Sequence, residues 1–279
     1  MKNTSETDRA TNLRVYRAPD VVAHYANLTY LTPCERLLFE TYLKPGIMLL
    51  DLGVGGGRTT AYLSGIASYY VGIDYSEEMV RACRNKLPAL QFEVADAADL
   101  SRFGDASFDA VVFSFNGIDY LAPDEKRRKC LRECHRVLRP GGVFIFSSHN
   151  PHSLIVGWDW NWNNLRASAD RIAKGSRVIR IPVLAGLGCA KAGLSFLSTL
   201  VRSVPRVLRR TATRTFWRGE GYLFDPAHGG LLTHCASPSS VLEELSQHEL
   251  KFLKSLPEDY PRPSRRWSTR WYYYAFSKE

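Results

Sequence analysis

Paired zinc-ligand spacing is missing from this chain. Its six cysteines, Cys34, Cys83, Cys130, Cys134, Cys189 and Cys235, are scattered along the sequence. Cys130, Cys134 and His135 fall close together in CLRECH, but on a segment that reads as a helix and without a second ligand pair. Free thiols in a reducing compartment are therefore expected, with no metal and no disulfide framework. The opening stretch, MKNTSETDRA, has no apolar core of the kind a secretory leader carries, and it reads as a frayed, solvated start. A clean membrane span is lacking too. IPVLAGLGCAKAGLSFLSTLV is 21 residues long, but one lysine, one proline and three glycines interrupt it. No repeat or low-complexity tract is present, and the expected compartment is the cytoplasm.

Positive charge is absent as an excess from most of the chain and concentrated in one part. Residues 151–220 hold twelve lysines and arginines against three acids, while the remainder holds 25 of each sign. Such a shift in composition marks a module boundary. The whole chain, 279 residues with 45% hydrophobic and 23% charged side chains, is ordinary for a globular protein. It has room for one large domain or one domain with an insertion.

TPCERLLFETY predicts a helix, with Thr32 as cap, Pro33 in its first turn and Glu35 at capping-box spacing. IMLLDLG is a continuous apolar run, the pattern of a strand buried on both faces. RTTAYLSGIA then reads as a helix, YYVGID as a strand, and SEEMVRACRNKL as a helix capped by Ser76. LQFEVAD and FDAVVFSF are a third and fourth strand. PDEKRRKCLRECHRVL is a helix closed by RPGG, and VFIFSSHN is the fifth strand. Strands alternating with helices at this spacing predict an α/β protein with a parallel sheet and helices on both faces. The rhythm is lost after Asn150 for some 85 residues. It returns with SPSSVLEELSQHEL, a helix capped by Ser237, and with the strand-like LKFLKSL and WYYYAFS.

LLDLGVGGGRTT, Leu49 to Thr60, holds four glycines within five residues after an acid. A phosphate-binding loop needs a Gly-Lys-Ser/Thr ending, and here the glycines run into Arg58-Thr59-Thr60. A dinucleotide fingerprint needs G-x-G-x-x-G. Starting at Gly53 it meets Arg58, and starting at Gly55 it meets Thr60. What fits is D-x-G-x-G-x-G, with Asp51, Gly53, Gly55 and Gly57, where the glycines let the backbone pass close to a ligand. Asp74 closes the next strand about twenty residues on, where a carboxylate can accept both hydroxyls of a ribose. Asp96 and Ala97 end the third strand, where an adenine edge would lie.

These stretches, with VGIDYSEEMV, FEVADAADL, FDAVVFSFNGIDYL and RVLRPGGVFIFSSHN, resemble the successive motifs of class I S-adenosylmethionine-dependent methyltransferases. The resemblance covers about residues 35 to 150. It implies a Rossmann-like, seven-stranded, mostly parallel sheet whose last strand, similar to RWYYYAFSK, is antiparallel. It implies S-adenosylmethionine as cofactor, with Gly53, Gly55 and Gly57 around its amino-acid end and Asp74 on its ribose. Asp96 and Ala97 would lie near adenine, and Phe115 or Asn116 near the sulfonium. YRAPDVVAHYA looks like the family's variable N-terminal lid, in which Tyr16 or Tyr25 closes over the cofactor or simply packs. The expected division is a helical lid over 1–45, a cofactor-binding core over 46–150, a basic, partly apolar cap over 151–235, and a closing helix and two strands over 236–279.

Methyl transfer is an in-line displacement governed by alignment, and an oxygen acceptor also needs a base. His149, in SSHN at the end of the fifth strand, is the best-placed candidate; the alternative, favoured on position alone, is a histidine bonded to the loop backbone. His152, His228 and His234 flank the insertion, and His135 reads as structural. In LSTLVRSVPRVLRR, Leu197, Leu200, Val201, Val204, Val207 and Leu208 share one helical face, and Arg202, Arg206 and Arg209 the other. This basic amphipathic pattern suits first a solvated cap on the domain, then a peripheral membrane contact through 178–210, then nucleic acid. The function expected is methylation of an oxygen or nitrogen of a small molecule, such as a sugar or lipid-linked glycan. Methylation of RNA or DNA through the basic insertion is the alternative, although SFNGIDY stands where an N-P-P-Y-type loop would. A non-catalytic cofactor-binding scaffold is the other.

Overall fold

A computed structural model describes residues 12–155, 172, 181–187, 189–190, 219–225, 231–264 and 269–279. Residues 12–16 are helical. They lead into α1 (Pro19–Ala26) and α2 (Pro33–Tyr42). The capping box expected of α2 forms on both sides: Glu35 N–H donates to Thr32 Oγ1 at 3.1 Å, and Thr32 N–H donates to Glu35 Oε2 at 2.9 Å.

Then follow β1 (Ile47–Leu52), α3 (Thr60–Ile66), β2 (Ala67–Asp74), α4 (Glu77–Lys86), β3 (Gln91–Val94) and β4 (Phe108–Phe113). A 3₁₀ turn at Gly117–Tyr120, α5 (Asp124–Val137) and β5 (Leu138–His149) complete the alternating part. After the insertion come α6 (Pro238–Ser246), with Ser237 capping it as expected, and two strands. The strands at Leu250–Pro257 and Trp271–Lys278 join the same sheet.

The sheet has seven strands. Across it the order is β3, β2, β1, β4, β5, then Trp271–Lys278, then Leu250–Pro257. The first five strands run parallel, and Trp271–Lys278 is antiparallel to both of its neighbours. This is the Rossmann-like sheet with an antiparallel last strand that the motifs implied. Successive residues of β1 point to opposite faces. Leu50 and Leu52 pack with Val71 and Ile73 in one core cluster, and Leu49 packs with Tyr70 and Val112 in the other. Burial on both faces is why the strand reads as an unbroken apolar run.

Two expectations change. RPGG does not end a helix in a loop, because β5 already begins at Leu138, paired with Phe108, and the ladder shifts register before Ala110 meets Val143. Gly141, at φ +77°, lets the strand absorb that shift. The insertion also holds order that its sequence did not reveal. β6 (Glu220–Asp225) and β7 (Leu231–Ala236) form a two-stranded antiparallel sheet. The strands after α6 are accordingly β8 (Leu250–Pro257) and β9 (Trp271–Lys278).

Residues 181–187, within IPVLAGLG, are helical, and Ile181 is exposed. The amphipathic pattern from Leu197 to Leu208 and His228 lie outside the described residues. Among the described residues no helix is long and apolar enough to cross a membrane.

Candidate active site

The chain steps from β1 to β2 to β3 on one side and from β4 to β5 on the other, so the sheet order reverses between β1 and β4. Open α/β sheets bind ligands at such a point, outside the carboxyl ends of the strands. A cleft of about 1140 Å³, its open mouth included, lies there. Asp51, Gly53, Gly55, Asp74, Asp96, Ala97, Phe115 and Tyr25 all line it, as does Tyr16.

Asp74 ends β2 and is buried. Its Oδ2 accepts the Gly55 N–H and its Oδ1 the Ser76 N–H, both at 2.9 Å. A carboxylate offers about four lone-pair sites, so these amides leave it capacity to accept from a ligand hydroxyl. Burial pushes its carboxyl up to about 6, against the lowering effect of the Ser76, Gly55 and Tyr75 amides. Asp51 is also buried, and Tyr70 Oη–H donates to its Oδ2 at 2.8 Å. Burial pushes the Asp51 carboxyl up to about 7, although the Tyr70 hydroxyl and the Arg58 charge both lower it. A buried carboxylate raised in this way favours a cationic group of a ligand beside it.

The glycines have separate reasons. Gly55 takes φ +54° with nothing but a carbonyl at 4.0 Å near its missing Cβ, so a side chain there would be strained and would enter the cleft. A Cβ on Gly56 would lie 2.3 Å from the backbone of Tyr25 and Ala26 at the end of α1. Gly57 differs from expectation. It is not among the cleft-lining residues, and its N–H bonds Val54 O at 3.0 Å to close the turn. Gly56, passed over in the sequence pattern, lines the cleft in its place.

The N-terminal segment covers one side. Tyr16 packs edge-on to Tyr120 and Tyr75, at 5.7 and 6.2 Å between ring centroids, and lies tilted at 6.1 Å from Tyr25. Lys86 Nζ, from the end of α4, donates to Ala26 O, Leu28 O and Gly56 O at 2.9, 3.2 and 3.3 Å. One cation thus ties α1 to the glycine loop. Arg58, the residue that broke the dinucleotide pattern, lines the cleft, with its guanidinium 4.8 Å from the Phe115 ring centroid and 5.2 Å from that of Tyr30. Glu35 neutralises it in a buried two-point pair at 2.7 and 2.5 Å. At the far end Asp96 lies beside Ala97, and Lys126 Nζ is 2.5 Å from Asp96 Oδ2.

His149 and Asn116 are placed differently from expectation. Neither is among the cleft-lining residues. β5 continues to His149, paired with Trp271, and the ring points toward the turn at Gly117–Tyr120. There His149 Nδ1 is 2.9 Å from Asp119 Oδ2, and its Nε2 is 3.2 Å from Asn116 Nδ2. The ring therefore has a side chain at each nitrogen. Asp119, Arg127 and Glu244 carried no local motif and were missed. His234, which had only flanked the insertion in sequence, sits on β7 with its Nδ1 3.8 Å from Asp119 Oδ1. His152 is buried in the turn after β5, and His135 lies on α5, its Nε2 3.7 Å from Glu249.

A glycine loop beside N-terminal tyrosines, the Asp74 carboxylate at the end of β2 and the buried Asp51 beside the loop line one cleft at the carboxyl edge of an α/β sheet. Residues 50–146 match the family model described as methyltransferase domain. A tRNA (carboxymethyluridine(34)-5-O)-methyltransferase of Arabidopsis thaliana is 27% identical over 166 residues, 57% of this chain and 38% of that protein. A fatty-acid O-methyltransferase of Mycolicibacterium smegmatis is 32% identical over 171 residues, 59% of this chain and 57% of that protein. The chain spans about half or less of the first curated relatives it matches, 38%, 40% and 51% of their lengths. In fold it is similar to the 1,6-didemethyltoxoflavin-N1-methyltransferase of Burkholderia thailandensis, solved with 1,6-didemethyltoxoflavin and S-adenosylhomocysteine bound. The TM-score there is 0.57 at 15% identity, over 97% of this chain and 86% of that one. Residues 50–146 match a methyltransferase domain, and the sheet that carries them has the fold of the class I S-adenosylmethionine-dependent methyltransferases.

Proposed function

We propose that this protein transfers a methyl group from S-adenosylmethionine to an oxygen or nitrogen of a small molecule, with a sugar or lipid-linked glycan as the first acceptors to try. The observation that carries the reading is Asp74, a buried carboxylate in the cleft at the end of β2, held by the Gly55 and Ser76 amides beside a glycine loop whose Gly55 backbone is left-handed and open to the cleft. When bound, the cofactor supplies a methyl group on a charged sulfonium, open to in-line attack by an acceptor lone pair. Asp74 holds the ribose hydroxyls and Asp51 draws the ammonium of the amino-acid end. Asp96 and Ala97 flank the adenine. Phe115 lines the sulfonium side, where an aromatic face is a better neighbour for an onium group than a cation. Glu35 serves the same end by cancelling the Arg58 charge. Tyr16 and Tyr25 exclude water as part of a lid, within the division 1–45, 46–150, 151–235 and 236–279. His149 acts from behind Asn116 and not in direct contact with the acceptor.

Small-molecule acceptors are supported by relatives whose names specify a fatty acid and 1,6-didemethyltoxoflavin. The tRNA methyltransferase among them supports the second reading, RNA methylation through the basic 151–220 stretch. Labelled S-adenosylmethionine incubated with the protein and, separately, a glycan-lipid fraction and total RNA tests both. Label in the small-molecule fraction is expected; label only in RNA moves the assignment, and label in neither favours a scaffold. Association of the intact chain with anionic vesicles tests the membrane contact proposed for 178–210.

A further inference from the structure

We infer that Asp119 is a positioning residue that fixes the ring of His149, and through it the carboxamide of Asn116, at the edge of the cleft. The inference rests on the proposed methyl transfer only for what the array serves; the array itself rests on geometry. Asp119 lies in the turn after β4 and is fully buried. Its Oδ2 accepts the backbone N–H of His149 at 2.7 Å and faces the ring Nδ1 at 2.9 Å. Its Oδ1 accepts Ser148 Oγ–H at 2.8 Å and an Arg127 N–H at 3.2 Å. Burial alone would raise the Asp119 carboxyl. The His149 hydrogen bond and the nearby His234 and Arg127 outweigh it and hold the group well below the usual carboxylate range.

An ionised carboxylate only accepts hydrogen bonds, so His149 Nδ1 carries a hydrogen. In the neutral ring the lone pair is then on Nε2, and the group facing it is Asn116 Nδ2, a donor. Every bond in the row has one direction: Asn116 to His149 to Asp119. Asn116 Oδ1 is left buried with no partner. Asn116 sits between two cleft-lining residues, Phe115 and Gly117, and its backbone is left-handed at φ +63°. Ser147 Oγ takes its backbone N–H at 2.8 Å. The carboxamide therefore has one imposed orientation, set from a carboxylate two side chains away.

The row also reaches the insertion. His234 on β7 stands 3.8 Å from Asp119 Oδ1 and 3.5 Å from Glu220 Oε1, and the Tyr222 ring packs edge-on to it. Arg127 spans from Asp119 to Glu244 on α6, at 3.2 and 2.9 Å. Asp119 is thus where β5, β7, α5 and α6 meet, and the β6–β7 hairpin and the cleft edge share one charge.

The test uses the full chain with ¹⁵N-labelled histidine, the His149 signals being assigned by their loss in His149→Gln. Long-range proton–nitrogen spectra at neutral pH are expected to show His149 hydrogenated at Nδ1 and bare at Nε2. Asp119→Asn can accept or donate and is expected to mix or reverse that tautomer, while S-adenosylhomocysteine affinity by calorimetry stays within about twofold. Asn116→Ala is expected to shift the Nε2 resonance alone. An Nε2–H tautomer in the wild type overturns the inference, as does a His149 pattern unchanged in both variants. Should Asp119→Asn not fold, the wild type and Asn116→Ala decide. Failure of the wild type to bind S-adenosylhomocysteine overturns the proposed function and leaves the tautomer result standing.

Discussion

Gly55 donates its backbone N–H to Oδ2 of Asp74 at 2.9 Å, across 19 positions of sequence. The loop after β1 and the last residue of β2 are thereby one unit, and the carboxylate is aimed before any ligand arrives. Asp74→Ala should weaken S-adenosylhomocysteine binding by ~1–3 kcal/mol, the usual loss for a charged hydrogen-bonding group, read by calorimetry.

The same residue gives a pH dependence with a definite sign. Burial raises the Asp74 carboxyl from 3.8 to about 6 in the folded chain, so the native state binds the extra proton between those values. From this group, stability falls as pH rises through that window and is level above it. With the ribose contact proposed for Asp74, cofactor binding runs the other way, because the ionised form is the acceptor: affinity should drop as pH falls through about 6. Titrations of wild type and Asp74→Asn across that range check this, and the variant should lose the slope.

Gly56→Ala and Gly65→Ala should have opposite effects. The first places a Cβ 2.3 Å from the Tyr25 and Ala26 backbone, while the second meets nothing within 4 Å. Overpacking costs about 1–3 kcal/mol, and removing a helical glycine stabilises by about 0.4–1 kcal/mol. Urea unfolding should show the two midpoints moving in opposite directions. Gly56→Ala should also speed proteolysis ahead of Pro33.

Arg58 and Glu35 are both buried, at 7% and 1% side-chain exposure. Removing either partner leaves an uncompensated buried charge, which costs about 3–5 kcal/mol. Arg58→Met and Glu35→Gln should each lower the unfolding free energy on that scale. Glu35→Gln should also weaken the cap at Thr32, whose N–H donates to the same carboxylate.

Lys86→Met keeps the apolar stem and removes three carbonyl contacts. Hydrogen exchange of residues 25–28 should quicken, with a global stability loss of about 1 kcal/mol, since the lysine is only half-buried and water replaces part of what is lost. An unchanged exchange pattern would show that α1 is held by its tyrosine packing instead.

Much of the site was legible in one dimension because it is built from strand ends. A strand buried on both faces reads as an apolar run, as Ile47 to Leu50 does, and the chain turns just past its end, as Gly53 does at φ +59°. Asp51, Gly53, Gly55, Asp74, Asp96, Ala97 and Phe115 stand at or just past strand ends in the sequence, and all of them line the cleft. Gly57 does not line it, because spacing cannot tell a glycine that faces the cleft from one that closes the turn onto Val54. The β6–β7 hairpin was hidden in a stretch whose pairing, Tyr222 with His234, depends on contacts along the other strand.

Local periodicity, capping residues and the order of buried runs are set by neighbours within a few positions, and they determine by themselves the α/β alternation, the glycine loop and the Asp74 carboxylate. The cluster of Asp119, Arg127, His149, His234 and Glu244 spans 126 positions from first to last and has no local period. Its members meet because β5 pairs with β9 as far as His149, turning that ring toward Asp119, and because α6 and β7 pack beside the turn. Side-chain direction at a strand end depends on register, and register is a property of the partner strand.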